Sequence, residues 1–253
     1  MKKIFACDID NTILYSYKHR QPEDICLEWL DGKPQSYTTA NAWHLLAAVS
    51  GLPGFVPITT RSLSQYRRIQ WPDGKAPRFV LVANGGILLR NGEMDTAWQQ
   101  ETQERIAGEK EEVKQLAEAI SAAPDFLHSK MVDDVYLFAY QPMADEAQMA
   151  ALAEKWQKKT QLAAAPSGHK LYFFPHELDK GSAMRRLMEK AGIAQSMAAG
   201  DSSIDLPMLE AADCALVPNA GLATRLANPQ KRSCPEGTLF FDFVLEQARK
   251  WLR

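Results

Sequence analysis

The sequence predicts an α/β protein: a Rossmann-like, mainly parallel sheet with an α+β module inserted into it. Three observations lead there. Short apolar runs bounded by turn residues recur toward both ends of the chain and alternate with stretches of helical periodicity. The first of them, Ile4-Phe5-Ala6-Cys7, runs directly into Asp8 and Asp10, two carboxylates spaced i, i+2. Across residues 89–175 the pattern changes to charge-rich helical segments alternating with strand pairs. The expected organisation is therefore a discontinuous core, 1–88 and 176–253, around a module at 89–175.

Four consecutive apolar residues with polar neighbours describe a strand buried on both faces. Open α/β sheets collect ligands at the carboxyl ends of their strands, which puts Asp8 and Asp10 where a substrate would arrive. Two anions this close repel, and a bound divalent cation is the usual reason to tolerate them. Acids that cap the following Asn11-Thr12 turn are the competing explanation. Residues 14–37 look like a long polar connection containing Gly32 and Pro34, with Lys18, His19 and Arg20 available to attract an anion. Thr38 or Thr39 caps a helix over residues 40–50. Residues 55–59 form a short strand in which Pro57 argues against a central, fully bonded position. It ends on Thr59-Thr60-Arg61-Ser62, hydroxyls and amides entering a helix over 63–69, an arrangement that suits an anion. Residues 78–83 make the third strand, stopping at Asn84-Gly85-Gly86, and Ile87-Leu88-Leu89 returns as a hairpin partner.

Within the module, Val113, Leu116, Ala117 and Ile120 stripe one helix, and Met149, Leu152, Ala153 and Trp156 another. Two strands around the Asp133-Asp134 turn and two around Pro166-Ser167-Gly168 complete a helix–strand–strand–helix–strand–strand order, with helices covering one sheet face. His128, Lys130, His169 and Lys170 are its candidate substrate contacts. From residue 178 the parallel pattern returns. A helix opens at Lys180-Gly181 and stops at Gly192, and Ser196–Gly200 is a strand ending on Asp201. Pro207 sits in the first turn of a helix over 206–212, Cys214–Val217 is a further strand, and a terminal helix covers about 239–252.

Charge and composition narrow the function. Twenty-nine basic and 31 acidic residues leave a net charge of -2, without the basic excess of a nucleic-acid-binding protein. No apolar run has the length of a membrane span or a signal-peptide core, so a cytoplasmic protein without membrane or nucleic-acid partners is expected. The four cysteines show no ligand spacing and behave as reduced core residues. Oxygen donors without a histidine cluster favour magnesium, held by Asp8, Asp201 and a backbone carbonyl near Asp10. Lys180 adds a compensating positive charge.

The set Asp8-Ile9-Asp10-Asn11-Thr12, Thr59-Thr60-Arg61, Lys180-Gly181 and Gly200-Asp201-Ser202-Ser203-Ile204-Asp205 resembles the four motifs of the haloacid dehalogenase superfamily. Asn84-Gly85-Gly86 and the segment from Met208-Leu209 to Pro218-Asn219-Ala220 resemble its Cof-type branch, whose inserted cap is of the C2 type. The resemblance implies Asp8 as nucleophile, Asp10 as general acid/base, Thr59 and Lys180 as phosphate and charge stabilisers, and Asp201 and Asp205 on the magnesium side. Thr60, Arg61 and Asn84 join Thr59 as candidate substrate-binding residues. It implies a magnesium-dependent phosphatase of a small phosphorylated metabolite, a sugar phosphate among the candidates, working through an aspartyl phosphate beneath a mobile cap. A phosphomutase and a catalytically weak binding protein remain alternatives, and a glycosyltransferase would leave Lys180 idle. The chain departs from the family pattern at Asn11, where glycine is usual, at Thr60, and at Ile204, where asparagine is usual.

Overall fold

The computed structural model describes residues 2–253. These fall into two compact units, Met1–Asp95 with Lys180–Arg253, and Thr96–Asp179. In the first unit, five parallel strands are ordered Lys231–Ser233, Cys214–Val217, Gln195–Ala199, Lys3–Cys7 and Phe55–Pro57. Ile4, Phe5, Ala6 and Cys7 are fully buried, as an apolar run with helices on both faces of its sheet requires. The chain leaves Lys3–Cys7 first toward Phe55–Pro57 and later returns on the other side through Gln195–Ala199. The order therefore reverses at the strand that ends on Asp8, and an open α/β sheet places its binding crevice at such a point.

Pro57 occupies the last position of the outermost parallel strand. The ladder continues past it: Ile58 bridges Leu81 in parallel, and the Thr59 N–H donates to the Leu81 carbonyl at 2.9 Å. Leu81 belongs to Phe79–Val82, which pairs antiparallel with Ile87–Arg90 in a small three-stranded sheet. The turn between them carries Ala83 and Asn84 at positive φ. Thr39 caps the Ala40–Val49 helix by accepting from the Ala42 N–H at 2.9 Å. The helix expected over 63–69 is helical only over Leu63–Tyr66 and unwinds at Arg67.

Residues 14–37 differ most from expectation. Instead of a polar connection they form a sheet of their own, with Tyr15–Ser16 and Ile25–Leu30 flanking Lys33–Thr38. Asp31 and Gly32, both at positive φ, make the tight turn between the two longer strands. The hairpin's register shifts on both sides of Glu28, and bulges of this kind re-aim a side chain. Glu28 is consequently buried, while its neighbours Trp29 and Leu30 are exposed.

In the second unit, four antiparallel strands are ordered Ala163–Ser167, Lys170–Phe174, Tyr136–Tyr140 and His128–Val132. The helices Lys110–Ser121 and Glu146–Gln157 pack Val113, Leu116, Ile120, Met149 and Trp156 against Leu137, Leu171 and Phe173 on one sheet face. Period-2 alternation sends Phe138, Tyr140, Tyr172, His128 and Lys130 to the opposite face. Of the candidate contacts there, His128 and Lys130 are exposed, and the Lys170 ammonium lies 4.8 Å from the Phe138 ring. The His169 Nδ1 faces the Ala144 carbonyl at 3.2 Å.

Candidate active site

Asp8 follows the last residue of the first strand, and its N–H donates to the Ala199 carbonyl of the neighbouring strand at 2.9 Å. That hydrogen bond sets the carboxyl ends of the two strands level, so Asp8 and the loop after Ala199 meet. Lys180, at the start of the Lys180–Ala191 helix and 2% exposed, joins them. Its Nζ donates to Asp8 Oδ1 and, at 2.6 Å, to Asp205 Oδ1. The other Asp205 oxygen accepts from the Asp201 and Ser202 N–H groups at 3.1 and 3.0 Å and from the Ser202 hydroxyl at 2.9 Å. Asp205 thus holds both the lysine and the loop carrying Asp201. The Ser202 hydroxyl supplies a polar contact in the loop where Ile204, itself buried, replaces the usual asparagine.

Two glycines let these segments close. A Cβ on Gly181 would stand 2.2 Å from the Pro207 carbonyl oxygen, and one on Gly200 would stand 2.4 Å from Asp205 Cβ. Asn11 has φ of 57°, left-handed backbone that asparagine tolerates better than most residues, which accounts for it at a glycine position. Thr12, fully buried, donates to Asp8 Oδ2 at 3.3 Å.

Asp8, Asp201 and Asp205 each offer an oxygen, and the three lie within 4.8 Å of one another. Burial pushes the Asp8 carboxyl up, Lys180 opposes the shift, and Asp205, Asp201 and Asp10 add to it. Burial and Asp205 push Asp201 up to about 7, against the pull of Lys180 and a hydrogen bond from Asn11. Burial alone would lower Lys180, but Asp205 and Asp8 outweigh it and keep the ammonium charged. Three carboxyl groups share one lysine, and the upward shifts of Asp8 and Asp201 reflect more negative charge on ionisation than that lysine offsets. Hard oxygen donors in such an excess fit a divalent cation such as magnesium.

Asp10 points its carboxylate elsewhere. Arg61 grips it with two hydrogen bonds, Nε to Oδ2 at 2.8 Å and Nη2 to Oδ1 at 2.7 Å. Any metal contact from Asp10 therefore falls to its main-chain carbonyl. The Arg61 Nη1 donates to Glu28 Oε2 at 2.9 Å and Nη2 also to the Ser36 hydroxyl at 3.2 Å. Thr59 is buried, its hydroxyl accepting from the Arg61 N–H at 3.1 Å. The Asn84 N–H donates to the Thr59 carbonyl at 2.8 Å and the Ala83 N–H to the Arg61 carbonyl at 2.8 Å, so the turn at Asn84 braces the Thr59–Arg61 loop. Thr60 is half-buried beside them.

The fold and this cluster define a class: an α/β protein with acids and a buried lysine gathered at the switch point of a parallel sheet. Residues 79–220 match the haloacid dehalogenase-like hydrolase family, and the chain belongs to that family. No curated protein matches the sequence. Among solved structures, the sucrose-phosphatase of Synechocystis sp. PCC6803, in complex with sucrose and phosphate, superposes with a TM-score of 0.66 at 15% identity, covering 100% of this chain and 98% of that one. A haloacid dehalogenase-like hydrolase from B. subtilis gives 0.58 at 17% identity with both chains covered completely. The C-terminal domain of C. albicans trehalose-6-phosphate phosphatase gives 0.56 at 14% identity, covering 99% and 91%. At these identities the likeness is one of fold.

Proposed function

We propose that this hydrolase is a magnesium-dependent phosphatase that removes the phosphoryl group from a small metabolite, a sugar phosphate first among the candidates. The observation that carries this is the meeting of Asp8 with Asp201 and Asp205, which lie far from it in sequence, with the Lys180 ammonium bridging Asp8 and Asp205. Family membership supports hydrolysis, and the fold shared with two enzymes named as phosphatases of sugar phosphates supports the substrate class.

In this mechanism a carboxylate oxygen of Asp8 attacks phosphorus and the bond to the ester oxygen breaks, leaving an aspartyl phosphate. Asp10, whose half-exposed carboxylate takes a proton from solvent before the cycle begins, gives that proton to the departing alkoxide. It then takes one from the water that attacks the acyl phosphate, which frees phosphate and restores Asp8. Thr59, whose hydroxyl oxygen accepts from the Arg61 N–H, donates its own proton to a phosphoryl oxygen. Lys180 neutralises charge on the same group and keeps Asp8 in place. Asp8, Asp201 and the Asp10 main-chain carbonyl would hold magnesium, with Asp205 ordering the loop, and the bound ion would supply charge neutralisation for the phosphoryl oxygens.

Released phosphate from a panel of phosphorylated metabolites, with and without magnesium, tests the proposal. Turnover that chelation abolishes and that Asp8→Asn removes is expected. No phosphate release from any phosphomonoester, or normal turnover by Asp8→Asn, rejects it.

A further inference from the structure

The hairpin that replaces the expected polar connection brings one carboxylate inside. Glu28 is 2% exposed, and burying a lone carboxylate costs several kcal/mol unless cations and donors surround it. They do. Glu28 Oε2 accepts from the Ser36 hydroxyl at 2.6 Å and from Arg61 Nη1 at 2.9 Å. Glu28 Oε1 accepts from Arg68 Nε at 2.9 Å, with Arg68 Nη2 at 2.7 Å. The Arg61 and Arg68 contacts, with the Ser36 hydrogen bond, outweigh burial and hold the Glu28 carboxyl below its ordinary range.

The backbone fixes Glu28 from two directions. It pairs with Ser36 between two register shifts of the hairpin, and it bridges Ile69 in the segment after the Leu63–Tyr66 helix. The Gln70 N–H donates to the Leu27 carbonyl at 2.7 Å beside it. Four charges result, Asp10 and Glu28 against Arg61 and Arg68, balanced in sign and chained in the order Asp10–Arg61–Glu28–Arg68.

Arg61 has five N–H donors in a rigid fork. Nε and one Nη2 hydrogen go to Asp10, Nη1 goes to Glu28, and Nη2 also reaches Ser36. A fork committed in this way is set by what lies behind it. Of the two carboxylates it holds, Glu28 is buried and locked, whereas the Asp10 side chain is 47% exposed. Position therefore passes from Glu28 through Arg61 to Asp10.

We propose that Glu28 is a positioning residue for the reaction: it fixes the Arg61 guanidinium, and the guanidinium aims the Asp10 carboxylate. This makes Arg61 part of the acid/base apparatus instead of a substrate ligand. The inference rests on the assignment of Asp10 as general acid/base made above.

The test compares Glu28→Gln with wild type on two substrates, p-nitrophenyl phosphate and the alkyl ester 2-glycerol phosphate, both with magnesium. An alkoxide needs a proton to leave; a nitrophenolate does not. The variant should lose about tenfold or more in kcat on the alkyl ester, a part of the roughly 10²–10⁴-fold that a general acid contributes. The rate of the first nitrophenolate burst should stay within about twofold and KM within about threefold, since neither depends on Asp10 as an acid. Equal losses in alkyl turnover and burst rate would mean general distortion of the site and overturn the proposal. Raised KM with kcat intact would make Arg61 a substrate ligand and also overturn it, as would unchanged kinetics. If Glu28→Gln does not fold, Ser36→Ala removes a hydrogen bond from both Glu28 and Arg61 without stranding a charge, and the same pattern is expected at smaller amplitude. Wild type inert toward both esters and toward the whole metabolite panel rejects the phosphatase assignment itself; an active wild type with an indifferent variant rejects only the role of Glu28.

Discussion

Lys180→Met removes the only positive group in direct contact with both Asp8 and Asp205 among the described residues, and its consequence can be worked from the burial. Asp8 is 5% exposed, Asp205 is 0%, and Asp201 offers an oxygen within 4.8 Å of theirs. Breaking a buried pair by deleting one partner costs about 3–5 kcal/mol, because the remaining charge is left uncompensated. Each kcal/mol lowers Tm by about 2–4 °C in a chain of this size, so a fall of about 6–20 °C is expected. The sign of the pH dependence follows from the same contacts. The raised pKa of Lys180 means its contribution is fully present at neutral pH and is lost only as pH climbs through the folded value. In the variant the carboxylates can relieve their repulsion by taking up protons, so the deficit should shrink as pH falls from about 7.5 toward the acid side of neutrality. Calorimetric unfolding of both proteins in chelator, repeated with magnesium, measures this. A Tm loss under about 2 °C, or a deficit that does not change with pH, would refute the placement of Lys180 between the two acids.

Three further outcomes are expected. Asp201 is pushed up to about 7 from the usual 3.8, so the folded metal-free protein holds its proton more tightly than the unfolded chain does. Stability should therefore decline as pH rises from about 4 through about 7, and Asp201→Asn should flatten that decline in calorimetry; a wild-type slope in the variant contradicts the assignment. Gly200→Ala forces a Cβ to within 2.4 Å of Asp205 Cβ and 2.5 Å of its Cγ, so it should displace the loop and abolish turnover, and wild-type kcat would be inconsistent with that packing. Trp156→Ala empties the centre of the inserted unit's core and cuts the hydrogen bond from its Nε1 to Asp125 Oδ2 at 2.9 Å. The cost should be about 3–5 kcal/mol, read as faster amide exchange across Tyr136–Tyr140 and Lys170–Phe174. Unchanged protection there would contradict it.

Four of the five strands of the parallel sheet were legible because each is a short, mainly apolar run, and burial on both faces leaves no other use for such a run; the edge strand Lys231–Ser233, charged and exposed, carries no such signal. Asp8 and Asp10 stood out for the same reason, being where the first such run stops. That Lys180 and Asp205 close on Asp8 is a long-range fact. No local signal in either segment shows it, and it came from resemblance to motifs of a family. Glu28, Ser36 and Arg68 were missed. The Cys26–Leu30 stretch does not alternate cleanly, since bulges on both sides of Glu28 break the period-2 pattern by which a half-buried strand is recognised. One signal was present: Asp31-Gly32 between two runs of strand-forming residues is a strong short-range mark of a hairpin. Arg61 was recognisable as functional from its place after Thr59 and Thr60, but not the direction of its side chain, which depends on a carboxylate 33 residues earlier.

The claim on which the mechanism turns is that Asp8 carries the phosphoryl group between the two half-reactions. Acid quenching during turnover of p-nitrophenyl phosphate, followed by peptide mass analysis, measures this directly. One added phosphoryl group is expected on the peptide containing Asp8, discharged by hydroxylamine and missing from Asp8→Asn. Steady release of phosphate with that peptide unmodified, or with the label on another residue, would contradict it.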